Sequence, residues 1–97
     1  MIGEGELAIL VKDIRERYKP QRVILFGSHA RGEAREGSDL NLCLVVPEAD
    51  EWLERHAEFR RRIDPPGLSL QPVIYTLQEL ERLHAEGHPF VREILEE

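Results

Sequence analysis

Apolar residues near the start of the chain recur at helical spacing. They are Leu7, Leu10, Val11, Ile14 and Tyr18. This spacing places them on one side of a helix, so it predicts an amphipathic helix from about Glu4 to Lys19 that Pro20 brings to an end. The next apolar run, Arg22 to Phe26, is short and rich in β-branched residues, which is typical of a buried strand.

Alternation of apolar and polar residues predicts a second strand from Asp39 to Val46. One face carries Leu40, Leu42, Leu44 and Val46, and the other carries Asp39, Asn41, Cys43 and Val45. The pattern predicts a half-buried strand whose first polar side chains project on one side. Cys43 is expected to be a small buried hydrophobe. The polar segment 29–38 is expected to form a short helical turn and a loop, with His29 facing solvent.

The C-terminal half contains one further strand between helices. A helical stripe predicts a helix over 50–63 that buries Trp52 and Phe59, and the turn residues of 64–67 follow it. Residues 68–75 predict a third strand. Because Pro72 within it cannot donate a ladder hydrogen bond, this strand should lie at a sheet edge or contain a bulge. Residues 76–79 match a capping box that opens a helix to about Glu86, and a last helix is predicted over 89–97.

These elements predict an α/β (α+β) fold, in which a small mixed β-sheet of about three strands is packed with helices. The length of 97 residues fits a single domain, 1–97. A chain of this size has a thin core that association can stabilise, so a homo-oligomer is one expectation. We assign self-association to the exposed edge of the strand that contains Pro72.

Composition narrows the functional classes. The chain has 13 Lys and Arg against 19 Asp and Glu, a formal charge of −6. Strong nucleic-acid binding is not expected, because phosphate neutralisation supplies most of that affinity, whereas an acidic surface suits a basic protein partner. No apolar run approaches the ~20 residues of a membrane helix. The N-terminus lacks the basic region of a secretory signal, so a cytoplasmic location is expected.

Candidate chemistry is concentrated in two nearby segments, 26–32 and 38–42. Gly27 and Ser28 follow a predicted strand, where backbone N–H groups and a hydroxyl can face an anion such as a phosphate. Ten residues separate Ser28 from Asp39. Asp39 and Asn41 lie two apart on one strand face, so their oxygens can converge on one divalent cation. A third oxygen ligand would come from a neighbouring strand.

These segments resemble the nucleotidyltransferase signature of the DNA polymerase beta superfamily, G-S-x10-D-x-D. The fuller pattern, G-S-x-A-R-G followed by S-D-x-D-L, is similar to the minimal nucleotidyltransferase family. The resemblance implies a site in which two strand aspartates and a third from a later strand hold Mg²⁺ ions. It also implies that Gly27, Ser28 and Arg31 bind the phosphates of a nucleoside triphosphate, with ATP the expected nucleotide.

The chain departs from this pattern at two positions. Asn41 stands at the second aspartate position and Gln71 at the third, so Asp39 is the one carboxylate retained. Amide oxygens coordinate weakly, which leaves Asp39 and Asn41 as the candidate metal ligands and predicts weak or absent Mg²⁺ binding. We expect catalysis by Asp39, Asn41 and Gln71 to be impaired.

Two functions follow from the resemblance. In the first, the chain binds nucleotide, a HEPN-domain partner or both without catalysis, as the antitoxin of a toxin–antitoxin pair. In the second, it is an active Mg²⁺-dependent nucleotidyltransferase that transfers a nucleoside monophosphate, expected to be AMP, to a partner protein. Plain structural roles also remain open: an N-cap for Ser28, an ion pair with Glu33 or Glu36 for Arg31, and a loop cap for Asp39.

Overall fold

Four helices and three strands follow one another along residues 3–65 and 67–96, which the computed structural model describes. They are α1 (Glu4–Tyr18), β1 (Arg22–Phe26), β2 (Leu40–Val46), α2 (Trp52–Arg62), β3 (Leu70–Thr76), α3 (Leu77–Ala85) and α4 (Pro89–Glu96). The predicted fold class and element order are confirmed, and the bounds differ by one or two residues. The predicted turn residue Pro66 and the predicted helix end at Glu97 lie outside the described residues.

The sheet has the order β1-β2-β3, with β2 in the centre. Strand β1 runs antiparallel to β2 and pairs Phe26 with Asn41. Strand β3 runs parallel to β2 and pairs Asn41 with Gln71. The parallel pair needs a crossover connection, which α2 supplies. As a result, the end of β1 and the starts of β2 and β3 meet at one end of the sheet.

Both faces of the sheet are covered by helices. One face packs against α1 and α2 through Ile14 and Phe59, and the other packs against α3 and α4 through Leu80, Val91 and Ile94. The prediction that β2 is half-buried is therefore wrong, because α3 and α4 cover its second face.

Individual core assignments have mixed outcomes. Cys43 is buried as predicted, and burial raises the pKa of its thiol to about 12. Phe59 is fully buried as predicted. Trp52 is 41% exposed, so its predicted place in the core is wrong. It lies at the start of α2, where its ring makes tilted contacts with the rings of Tyr75 and His56.

Strand β3 lies at a sheet edge, as Pro72 predicts. The Ile74 N–H donates to Nε2 of His56 at 3.0 Å, and the Ile74 carbonyl accepts from Arg55 Nη1 at 3.1 Å. Because alternate residues of a strand direct their backbone groups to the same side, Pro72 also faces away from β2, and its missing N–H removes no ladder bond. The side chains of α2 cover this edge at Ile74, so the edge that we assigned to self-association is closed there.

The predicted capping box is present at the start of α3. The Glu79 N–H donates to the Thr76 hydroxyl at 3.1 Å, and the Thr76 N–H donates to the Glu79 carboxylate at 2.8 Å. Glu79 also accepts from Arg55 at 2.7 Å, and this hydrogen bond lowers the pKa of the Glu79 carboxyl. One half-buried arginine, Arg55, thus joins α2, the β3 edge and α3.

Candidate active site

The residues of the candidate site come together where three strand ends meet. Gly27 follows β1, Asp39 precedes β2, and Asn41 and Gln71 occupy paired positions of β2 and β3. Asn41 is half-buried, whereas Asp39 and Gln71 are exposed. The fold therefore brings all the strand residues of the predicted site to one accessible end of the sheet.

Gly27 is required by both its backbone conformation and its surroundings. Its φ of 80° lies in the left-handed region, and a Cβ there would approach Nδ2 of Asn41 to 2.6 Å. The turn that follows is closed by hydrogen bonds from the Arg31 N–H to the Gly27 carbonyl at 3.1 Å and from the Glu33 N–H to the Ser28 carbonyl at 2.9 Å. Ser28 thus lies in a tight turn beside Asn41, not at the start of a long helix.

Asp39 is held by two residues. The Ser69 hydroxyl donates to Oδ1 of Asp39 at 2.5 Å, and Nδ1 of His29 lies 3.0 Å from its backbone carbonyl. Since a carbonyl only accepts, Nδ1 of His29 carries the hydrogen. The described contact of the Asp39 carboxylate is with Ser69, the residue just before β3, which argues against a loop cap. Its second oxygen makes no hydrogen bond to the described residues and remains available at the site.

His29 does not face solvent as predicted. It is half-buried, and its Nε2 has no hydrogen-bond partner among the described residues. The ring fastens the turn after β1 to the start of β2, so the variable position of the motif has a structural role in this chain.

Gln71 contacts a cation of the protein. Its Oε1 accepts from Nη2 of Arg60, on α2, at 3.4 Å. A guanidinium at this position opposes the approach of a divalent cation. Within residues 3–65 and 67–96, no group of three or more His, Cys, Asp or Glu side chains lies close enough to share a metal ion. The donor set is one carboxylate and two amides, one of which already binds an arginine.

Arg31 is exposed and forms an ion pair with Glu33. Its Nε donates to Oε1 of Glu33 at 2.5 Å, and both side chains are well exposed. Of the two roles left open for Arg31, the ion pair is therefore present. Exposed pairs of this kind contribute about 0–1 kcal/mol, so the Glu33 pair adds little to the stability of the fold.

The sequence did not predict the site contacts of three residues: Ser69, His29 and Arg60. Ser69 had a usable signal, because Ser69 and Gln71 repeat the two-residue spacing of Asp39 and Asn41 at the start of a strand. Arg60 had none beyond its place in a basic run, since only the fold brings the end of α2 to Gln71. A cavity of about 320 Å³ lies beside the site and is lined by Arg60, Ser69 and Gln71 among others.

Comparison with known proteins agrees with the resemblance. A family model described as Nucleotidyltransferase domain matches residues 7–97. A relative from Methanocaldococcus jannaschii, named "Putative protein adenylyltransferase MJ1215", is 37% identical over 43 residues, which are 44% of this chain and 50% of the relative. The match thus spans half the length of that curated relative. No solved structure is significantly similar to the chain. Among the described residues, no helix is long and apolar enough to cross a membrane.

Proposed function

Because the chain belongs to the nucleotidyltransferase domain family, we propose that it binds a nucleoside triphosphate, with ATP the first choice, at the sheet end that contains Gly27 and Asp39. The left-handed turn at Gly27 supports this proposal, since it places the half-buried Ser28 at the same sheet end as the exposed Asp39, where a phosphate can meet the N–H groups of a turn. Gly27, Ser28 and Arg31 would bind the phosphates through N–H groups, a hydroxyl and a guanidinium.

The metal site is the point at which this chain differs from its family. Members of the family generally use Mg²⁺, and three carboxylates would supply three negative charges. Asp39, Asn41 and Gln71 supply one. Magnesium is bound by carboxylates together with substrate phosphates, so this donor set does not fit a pair of Mg²⁺ ions. We therefore assign nucleotide binding with little metal dependence and without efficient transfer.

The biological role that fits such a domain is partner binding. The partner would be a HEPN-domain protein, with the chain as its antitoxin in the cytoplasm. The formal charge of −6 supports docking on a basic surface. Exposed apolar side chains on α1 and α2, Ile9 and Leu53, offer contact area for a protein partner. Co-purification with a HEPN-domain protein encoded beside this chain, and loss of the complex at high salt, would test this role.

Active transfer is the second candidate function. The relative from Methanocaldococcus jannaschii is named as a protein adenylyltransferase. This chain retains the Gly27–Ser28 turn and Asp39, and both lie at the same end of the sheet. Transfer would attach a nucleoside monophosphate to a side-chain hydroxyl of the partner and release pyrophosphate. A mass gain of one adenylate on the partner, with Mg²⁺ and ATP present and lost in Asp39→Ala, would establish it.

Nucleotide binding is tested by calorimetric titration of ATP into matched glycine variants. Gly27→Ala should abolish binding, because a Cβ there displaces Asn41 and distorts the turn. Gly32→Ala is the control, since Gly32 has a similar positive φ of 73° but no atom within 4 Å of its Cβ position. Equal ATP affinities for both variants would refute the proposed site, and so would the absence of ATP binding by the parent chain.

A further inference from the structure

We infer that Arg60 supplies the positive charge that a divalent metal supplies in such sites, so that it binds the polyphosphate of the nucleotide directly. This inference rests on the proposed function, since it names the group that replaces the metal. The chemistry recognised is a chain of phosphates, whether in a nucleoside triphosphate or in inorganic tripolyphosphate.

The position of Arg60 is the first argument. Arg60 extends from α2 to the start of β3, where its Nη2 lies 3.4 Å from Oε1 of Gln71. Gln71 is paired in register with Asn41, the neighbour of Gly27. The guanidinium is thus held at the third ligand position of the site. Because Gln71 is neutral, this contact does not cancel the charge of Arg60, whereas an aspartate would.

The span of the site is the second argument. Gly27 follows β1 and Gln71 lies on β3, so the two positions are about two strand spacings apart, roughly 10 Å. An extended triphosphate can reach from a turn at one to a cation at the other. The long Arg60–Gln71 hydrogen bond is weak, so little is lost when the guanidinium turns to a phosphate oxygen.

Accessibility is the third argument. Arg60 is exposed and lines the cavity of about 320 Å³ together with Ser69 and Gln71. Asp64 also lines this cavity, and its carboxylate would repel a polyphosphate. The inference therefore predicts opposite effects for the two residues: removal of the Arg60 charge weakens binding, and removal of the Asp64 charge strengthens it.

The test is calorimetric titration of the full chain with ATP and with tripolyphosphate, both in EDTA. Arg60→Ala should weaken the binding of both ligands by about tenfold or more, the loss expected for a charged hydrogen bond. Arg60→Lys should restore part of the affinity, and Asp64→Asn should increase it. Arg61→Ala is the matched control, because it removes the same charge from an exposed neighbouring position of α2.

Each contrary result overturns a different statement. If Arg60→Ala and Arg61→Ala have equal effects, Arg60 acts only through overall charge and the inference fails. If Arg60→Ala weakens ATP but not tripolyphosphate, Arg60 contacts the nucleoside and the inference fails. If the parent chain binds ATP only with Mg²⁺, Arg60 does not replace the metal, although the proposed nucleotide site stands. If the parent binds ATP under neither condition, the proposed function itself fails. Unchanged melting temperatures would confirm that the variants are folded.

Discussion

Restoring the two missing carboxylates should convert the chain to Mg²⁺-dependent nucleotide binding. The change is Asn41→Asp and Gln71→Asp, singly and together. At 4 Å in water a divalent ion gains about 2 kcal/mol from each added unit charge. This corresponds to about a 30-fold gain in Mg-ATP affinity per carboxylate. The dielectric constant of water is appropriate here because Gln71 is exposed and Asn41 is only half-buried.

The two single variants should differ because of Arg60. An aspartate at position 71 would pair with the guanidinium that now contacts Gln71 at 3.4 Å. We therefore expect the full gain for Asn41→Asp and a gain of about threefold or less for Gln71→Asp. Adding Arg60→Gln to Gln71→Asp should release that carboxylate and recover most of the 30-fold gain.

Calorimetric titration gives the ratio of the ATP dissociation constants in EDTA and in Mg²⁺. The double variant should show a much larger ratio than the parent, partly because the new carboxylates repel metal-free ATP. If the double variant binds Mg-ATP no better than the parent, then Gln71 is not the third ligand position or the loss of metal charge is not what distinguishes this chain.

Three further predictions concern Ser69 at the site, the Arg55–Glu79 pair at the other end of β3, and Cys43 in the core. Ser69→Ala should weaken Mg-ATP binding while changing the unfolding free energy by no more than about 1 kcal/mol, because it removes one exposed hydrogen bond to Asp39; Ser69→Thr should restore the affinity. Arg55→Ala should destabilise the fold by about 2–3 kcal/mol in urea unfolding, since it leaves Glu79 and a strand carbonyl without their charged donor. The pKa of Glu79 is lowered in the fold, so its stabilisation is complete above its ordinary value near 4.5 and is lost as the pH falls through the folded value; the acid sensitivity of unfolding should decrease in Arg55→Ala. Cys43, with a pKa of about 12, should resist iodoacetamide at pH 8 until the chain is unfolded, as mass spectrometry would show.

The helices and strands could be predicted because local signals marked their ends. Pro72 predicted an edge strand, and the Thr76–Glu79 pair predicted the start of α3, which both hydrogen bonds confirm. The two-sided burial of β2 could not be predicted, since it depends on where α3 and α4 pack. The burial of Trp52 was predicted wrongly. A helical stripe of apolar residues does not show where the underlying sheet ends.

The candidate site could be predicted in part. The Gly27–Ser28 turn and the Asp39 strand have a fixed spacing in the sequence, and the register of β2 with β3 brings Gln71 beside Asn41. His29 and Arg60 were beyond prediction for one reason: each makes its contact with a residue ten or more positions away in the chain. Only the folded sheet brings these partners together.

The central claim is that this sheet end binds a nucleoside triphosphate with little help from Mg²⁺. An NMR titration of backbone amides with ATP, in EDTA and again in Mg²⁺, tests it most directly. The account predicts shifts at Gly27, Ser28 and the start of β2 under both conditions, with similar affinities. Shifts that occur only with Mg²⁺ would contradict the metal-independent site and favour active transfer, and no shifts at millimolar ATP would contradict nucleotide binding altogether.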